Sequence, residues 1–216
     1  MDNRICRYTT VFWDWNGTLF DDVSSSLEAV NIMLKKRGLD AISLVTFRSA
    51  VDTPIIKFYR EFFDMEKEEF SALSAEYHSL YEQLALSSPL AEGTQTVLET
   101  LKKQGVRQVI ASSSHTQQIE KLIKRFGIRN YFDGILGADD YFASDKISRI
   151  REYMEKNSLC PEKTVFVGDT PHDAQVADSV GSQCVMALWG SKNPHELEGL
   201  GDTAENMAQV LEKMFE

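Results

Sequence analysis

The chain is predicted to be an α/β protein, a parallel-sheet core with a helical module inserted after the first strand. Three observations carry this. An apolar, β-branched and aromatic run over 8–13 leads directly into the acidic loop Asp14-Trp15-Asn16-Gly17-Thr18. Residues 43–86 keep helical spacing and contain no strand-like run. From Leu90 onward, strand-like and helix-like segments alternate. Such alternation builds a parallel sheet with crossover helices, and a long helical stretch that interrupts it is an insertion. The expected boundaries are 1–21 and 88–216 for the core and 22–87 for the insertion, with Ser87-Ser88-Pro89 as the return linker.

Composition narrows the function classes. A length of 216 residues suits one domain plus an insertion and leaves ample chain for a buried core. The 43% hydrophobic and 26% charged shares are those of a globular protein, and no run approaches the roughly 18 apolar residues of a membrane span. The first residues, Met1 to Cys6, lack the apolar centre of a signal peptide, so a cytoplasmic location is the expectation. Cys6, Cys160 and Cys184 are widely spaced with no Cys-x-x-Cys pair, which points to reduced, mostly buried thiols rather than disulfides or structural zinc. A net charge of −10 leaves no basic face for nucleic acid. A small phosphate compound remains within reach, through local amides, one lysine and a divalent cation.

Taken in order, 22–38 carries Val23, Leu27, Val30 and Leu34 at helical spacing, with Asp22 or Ser24 as cap and Gly38 as terminator. Within 43–86 the clearest helical face is Phe70, Leu73, Tyr77, Leu80 and Leu84. Then come helix 94–104, strand 107–111, helix 115–126, strand 134–136 and helix 145–157. Strand 164–167, helix 171–180, strand 183–188 and helix 203–214 complete the chain.

Polar groups gather where strands end, which in an open parallel sheet is where ligands bind. Asp14 there can serve as a nucleophile or as a metal ligand; with Asn16 it can equally make an Asx-type turn. Strand 107–111 ends in Ser112-Ser113-Ser114-His115. Ser114 with Gln117 matches a capping box, while Ser112 can offer its hydroxyl, with neighbouring amides, to an anion. Strand 164–167 leads to Asp169-Thr170-Pro171-His172-Asp173, where Thr170, Pro171 and Asp173 make a good helix start and Asp169 is left over. Carboxylates gathered at neighbouring strand ends repel one another unless a cation lies among them.

The ordered set Asp14-x-Asn16-Gly17-Thr18, a strand ending in Ser112, Lys146 after Gly137-Ala138-Asp139-Asp140, and Gly168-Asp169-Thr170-x-x-Asp173 resembles the haloacid dehalogenase superfamily, and within it the phosphoglycolate phosphatase-like branch. The resemblance covers most of 8–188. It implies a Rossmann-like core, a helical cap over 22–87 and Mg²⁺-dependent hydrolysis of a small phosphorylated metabolite through an aspartyl-phosphate. By position it implies that Asp14 attacks phosphorus, and that Asp14, the Asn16 carbonyl and Asp169 hold Mg²⁺ with support from Asp173. It further implies that Ser112, Ser113 and the loop amides of Trp15 and Asn16 hold the phosphoryl oxygens. Lys146 would balance charge between Asp14 and the phosphate, and Thr18 would brace the loop.

Asn16 departs from the pattern, because the family usually has there a second aspartate that protonates the leaving group and then activates water. An amide does neither. His115, His172 or Asp22 would have to take over, and Asn16→Asp, nearly isosteric, is expected to raise hydrolysis if the amide is limiting. Two rivals follow: a phosphotransferase or mutase on the same site, and a phosphate-ligand sensor whose catalysis has lapsed. Arg48, Asp52 and Lys57 in the insertion face either the site or the solvent.

Overall fold

The computed structural model describes residues 5–51, 54–138 and 146–215. Six parallel strands form one sheet: β1 (Thr10–Trp13), β2 (Arg107–His115), β3 (Gly134–Ala138), β4 (Thr164–Gly168), β5 (Gln183–Ala187) and β6 (Asp202–Ala204). Their order across the sheet is β3-β2-β1-β4-β5-β6. That is the Rossmann-like order, in which the chain starts at the centre and winds outward in both directions, so the crevice opens where β1 lies between β2 and β4. Phe12 is in register with Val109 on one side and Phe166 on the other.

Every residue of β1 is buried. Val11 and Trp13 pack into an apolar cluster on one face, while Phe12 points to the other, stacked on Phe166 at 4.8 Å between ring centroids. Successive side chains of a strand alternate between faces, and both faces are covered. The first face is closed by α5 (Thr94–Lys103), α6 (Thr116–Arg125) and α9 (Met207–Met214), the second by α7 (Lys146–Lys156) and α8 (Pro171–Ser179).

Between β1 and α5 the described residues hold α1 (Val23–Lys36), α2 (Leu44–Ala50), α3 (Ile56–Phe62) and α4 (Phe70–Leu84), and no strand of the sheet. These helices bury an apolar cluster of their own, including Val30, Met33, Phe47, Phe58, Tyr59 and Leu73. Ala29 of α1 and Tyr81 of α4 also belong to the apolar cluster of the sheet, so the helical stretch packs on the core as well as on itself.

Three expectations need correction. The helix placed over 203–214 is a short edge strand, β6, followed by α9, whose start is capped by Asn206 accepting from the Gln209 N–H at 3.0 Å. Three residues are too few to display the alternation that marks a strand. Asp22 stands before α1 without capping it by its side chain, because its carboxylate is engaged elsewhere. The thiols are not mostly buried: Cys160 is exposed and Cys6 half-buried, with only Cys184 inside. Among the described residues no helix is long and apolar enough to cross a membrane.

Candidate active site

Asp14 directly follows β1, and its N–H still donates to the Val167 carbonyl of β4 at 2.8 Å, so the sheet itself aims the residue. Asp169 directly follows β4, and Asp173 lies in the first turn of α8. Lys146 opens α7. The ligand oxygens of Asp14, Asp169 and Asp173 all lie within 4.8 Å of one another. The Lys146 ammonium donates to Asp14 Oδ1 at 2.7 Å and to Asp173 Oδ1 at 2.6 Å, with its side chain 5% exposed. Asp139 and Asp140, which precede Lys146 in the sequence motif, lie outside the described residues, as does Asp52.

Two of the carboxylates are also held by neighbouring loops. Asp173 Oδ2 accepts from the Thr170 N–H at 3.1 Å and hydroxyl at 2.7 Å, so one side chain both starts α8 and faces Lys146. Asp169 accepts from the Ser191 N–H at 2.6 Å and from the Thr18 hydroxyl at 3.1 Å. Thr18 thus ties the first loop to β4 rather than merely shaping its own turn. Room for the Asp169 carboxylate exists only because Gly17 and Gly190 carry no Cβ; one at either position would collide with it. Gly17 also has φ +70°, a conformation that favours glycine. Gly190→Ala, whose strain is purely steric, is expected to weaken divalent-ion affinity by roughly 10- to 100-fold, the usual cost of losing support behind a metal ligand. Calorimetric titration with Mg²⁺ checks it.

Burial dominates the titration of the cluster. It pushes the Asp14 carboxyl well up, against the opposing pull of Lys146, and the charges of Asp173 and Asp169 push the same way. Burial, then the charge of Asp173, raises Asp169 to about 7. Burial would raise Asp173 too, but Lys146 and the Thr170 hydrogen bonds outweigh it and hold that carboxyl below its usual range. Burial alone would depress Lys146; the charges of Asp14 and Asp173 outweigh it and hold the ammonium above the lysine range. One lysine therefore does not satisfy three clustered carboxylates, two of them buried. A hard divalent cation suits what remains, an oxygen-only donor set already oriented by hydrogen bonds.

That imbalance gives a signed pH dependence. A carboxyl raised in the folded protein lends stability while protonated and loses it as pH rises from the ordinary carboxylate range through about 7, here at Asp169. A cation that needs the ionised form reverses the loss. The Tm gain on adding Mg²⁺ is expected to be small at a pH of roughly 5 and full at roughly 8. A gain that shrinks with rising pH would contradict this.

Residue 16 has unexpected partners. The Asn16 side-chain amide donates to Asp22 Oδ2 at 2.6 Å and to the Tyr81 hydroxyl of α4 at 2.7 Å, and its Oδ1 accepts from the Ser114 hydroxyl at 2.5 Å. Ser114 is therefore not the cap of α6; His115 takes that position and accepts from the Gln117 N–H at 3.3 Å. The S-x-x-Q pattern misleads because β2 continues, with a register shift between Ala111 and His115, and carries Ser114 toward the first loop. Of the three candidates to replace the missing carboxylate, Asp22 is bonded to Asn16. His172 sits half-buried at the second position of α8.

Ser112 is buried, and its hydroxyl oxygen accepts from the Ser114 N–H at 3.0 Å, which leaves its proton to donate; Ser113 is exposed. Trp15 directs its indole away into the core, stacked on Phe20 at 5.4 Å. Arg48 of α2 donates to the Trp189 carbonyl at 3.0 Å, next to Gly190 and Ser191, while Lys57 is exposed. Sequence reasoning missed Tyr81 and the whole stretch Trp189-Gly190-Ser191. The latter follows a strand, β5, as the other site loops do, and the strand-end rule applied once more finds it.

Residues 11–187 match the family model described as haloacid dehalogenase-like hydrolase. A phosphoglycolate phosphatase of Pseudomonas putida is 26% identical over 94% of this chain and 76% of its own. A 5'-nucleotidase of Pseudomonas aeruginosa is 22% identical over 91% of this chain and 90% of its own. Among solved structures, a haloacid dehalogenase-like family hydrolase from Streptococcus pneumoniae superposes with a TM-score of 0.83 at 24% identity, covering 96% of this chain and 98% of that one.

Proposed function

The chain belongs to the haloacid dehalogenase-like hydrolase family, and from that premise we propose that it is a Mg²⁺-dependent phosphatase acting on a small phosphorylated metabolite through an aspartyl-phosphate. The observation that carries this reading is the meeting of Asp14, Asp169 and Asp173 with Lys146 at the ends of two adjacent central strands. A sensor of phosphate ligands has no need of such a costly gathering of buried carboxylates. Two similar proteins bear the names phosphoglycolate phosphatase and 5'-nucleotidase, which supports a small phosphate monoester as the substrate class.

In this reading an Asp14 oxygen attacks phosphorus, the bond from phosphorus to the leaving oxygen breaks, and the leaving oxygen departs with the electron pair. Water then hydrolyses the acyl phosphate and regenerates Asp14. Lys146 holds Asp14 in place and supplies positive charge next to the incoming phosphoryl group. The Ser112 hydroxyl and the amides of Ser113, Trp15 and Asn16 bind the phosphoryl oxygens. Asp14, the Asn16 carbonyl and Asp169 would hold the cation, with Asp173 supporting it. When bound, Mg²⁺ supplies Lewis-acid stabilisation of the transferring phosphoryl oxygens. Residues 22–87 act as the cap that encloses the substrate, docking through Arg48 on the Trp189 carbonyl and through Ser49, which receives the Asn193 amide at 2.9 Å.

The test is a screen of phosphorylated metabolites with and without Mg²⁺, coupled to acid trapping of the phosphoenzyme. Because residue 16 is an amide, esters whose leaving group needs a proton are expected to lag behind aryl and acyl phosphates by roughly 10² to 10⁴ in rate, the usual worth of a general acid. Phosphate binding without turnover or phosphoenzyme would replace the enzyme reading with the sensor.

A further inference from the structure

The partners of Asn16 form a closed set of donors and acceptors. An amide has two protons and an acceptor oxygen. The Asn16 nitrogen lies within hydrogen-bond distance of both Asp22 Oδ2 and the Tyr81 oxygen, which are bonded to each other, so the three groups form one shared triangle, and the amide oxygen receives Ser114. Tyr81 gives its own proton to Asp22 Oδ2 at 2.5 Å, and the Gly17 N–H donates to Asp22 Oδ1 at 2.8 Å. Asp22 is 2% exposed, so solvent does not compete for these bonds. Four segments thus meet at one point: the first loop, the start of α1, α4 of the insertion and the end of β2.

We infer that Asn16, Asp22 and Tyr81 form a latch through which docking of the cap positions the loop carrying Asp14, with Asn16 as a positioning residue and amide and carboxylate exchanged between positions 16 and 22. The functional sense of the latch rests on the phosphatase reading above; its existence does not. An aspartate at 16 has no proton for Asp22 or for the Tyr81 oxygen and faces a second carboxylate at hydrogen-bond distance. Asn16→Asp is then not the neutral probe its shape suggests. With the groups exchanged, an asparagine at 22 donates to an aspartate at 16 and accepts from Gly17, while Tyr81 and Ser114 donate to the carboxylate. The like-charge contact between 16 and 22 is then gone, and an amide again faces a carboxylate.

The experiment compares wild type, Tyr81→Phe, Asn16→Asp and the double variant Asn16→Asp/Asp22→Asn by hydrogen exchange, by inorganic phosphate binding with Mg²⁺ present, and by the separation of KM from kcat. Losing a buried hydrogen bond to a charged group should cost about tenfold or more in the docking equilibrium constant, and apparent affinity falls in proportion to the docked fraction. Tyr81→Phe, which keeps the ring packing, is expected to speed exchange in both α4 and residues 14–20 and to raise KM more than it lowers kcat. Asn16→Asp should do the same more strongly, and the exchanged pair should return exchange and phosphate affinity close to wild type. Wild-type exchange in Asn16→Asp, a double variant as open as the single one, or faster exchange in α4 with residues 14–20 and phosphate affinity unmoved would each overturn the latch. Should no form turn over any phosphate ester, the phosphatase reading falls, while exchange and phosphate binding still decide the latch.

Discussion

Asp14→Asn is expected to abolish turnover, by roughly 10⁴-fold or more, as removal of an attacking nucleophile does, while leaving the protein more thermostable without metal than the wild type. The two effects share one cause. Burial and two neighbouring carboxylates push the Asp14 carboxyl well above its usual range, against Lys146, so its ionised form is disfavoured in the folded state. An amide removes that charge, keeps an oxygen for the Lys146 ammonium, which lies 2.7 Å from Asp14 Oδ1, and cannot form an acyl phosphate. Such exchange of stability for activity is common where like charges are concentrated for function. Phosphoenzyme trapping and thermal unfolding with and without Mg²⁺ measure both sides. A variant that loses stability along with activity would show that Asp14 is held as a structural ion-pair partner of Lys146 instead.

Lys146→Met should be strongly destabilising. It removes the ammonium that is bonded to Asp14 and to the buried Asp173, and breaking a buried pair on one side costs about 3–5 kcal/mol. The loss is expected to depend on pH with a definite sign. Without the ammonium Asp14 is raised further and Asp173 loses the main charge that holds it down, so stability falls as pH rises through the range where they ionise and recovers on acidification. Mg²⁺ should restore part of it, since the oxygen ligands remain. Unfolding curves over a pH series, with and without Mg²⁺, check this. A loss independent of pH would point to the lysine stem's packing rather than its charge.

The elements themselves were legible to the extent that their neighbours in sequence define them. The buried run before Asp14, the alternation after Leu90 and the helical face of Phe70, Leu73, Tyr77, Leu80 and Leu84 all survive in the folded chain as β1, the remaining core strands and helices, and α4. β6 did not, because three residues at a sheet edge carry too little pattern. Ser114 was misassigned because its local context satisfies a capping rule that the adjacent His115 fulfils instead.

By itself, then, the sequence determined the order of most strands and helices, the helical run between β1 and α5 and the placing of acidic residues just beyond β1 and β4, since each depends on backbone preference and burial over a few residues. Only the tertiary structure decided which polar groups share bonds. Lys146 reaches Asp14 across 132 positions, Ser114 reaches Asn16 across 98, and Tyr81 reaches Asn16 across 65. Those pairings follow from β1 lying between β2 and β4 and from α4 returning against the first loop. A buried donor is satisfied by whatever acceptor the packing brings to it, and packing between distant segments leaves no periodic trace in the chain.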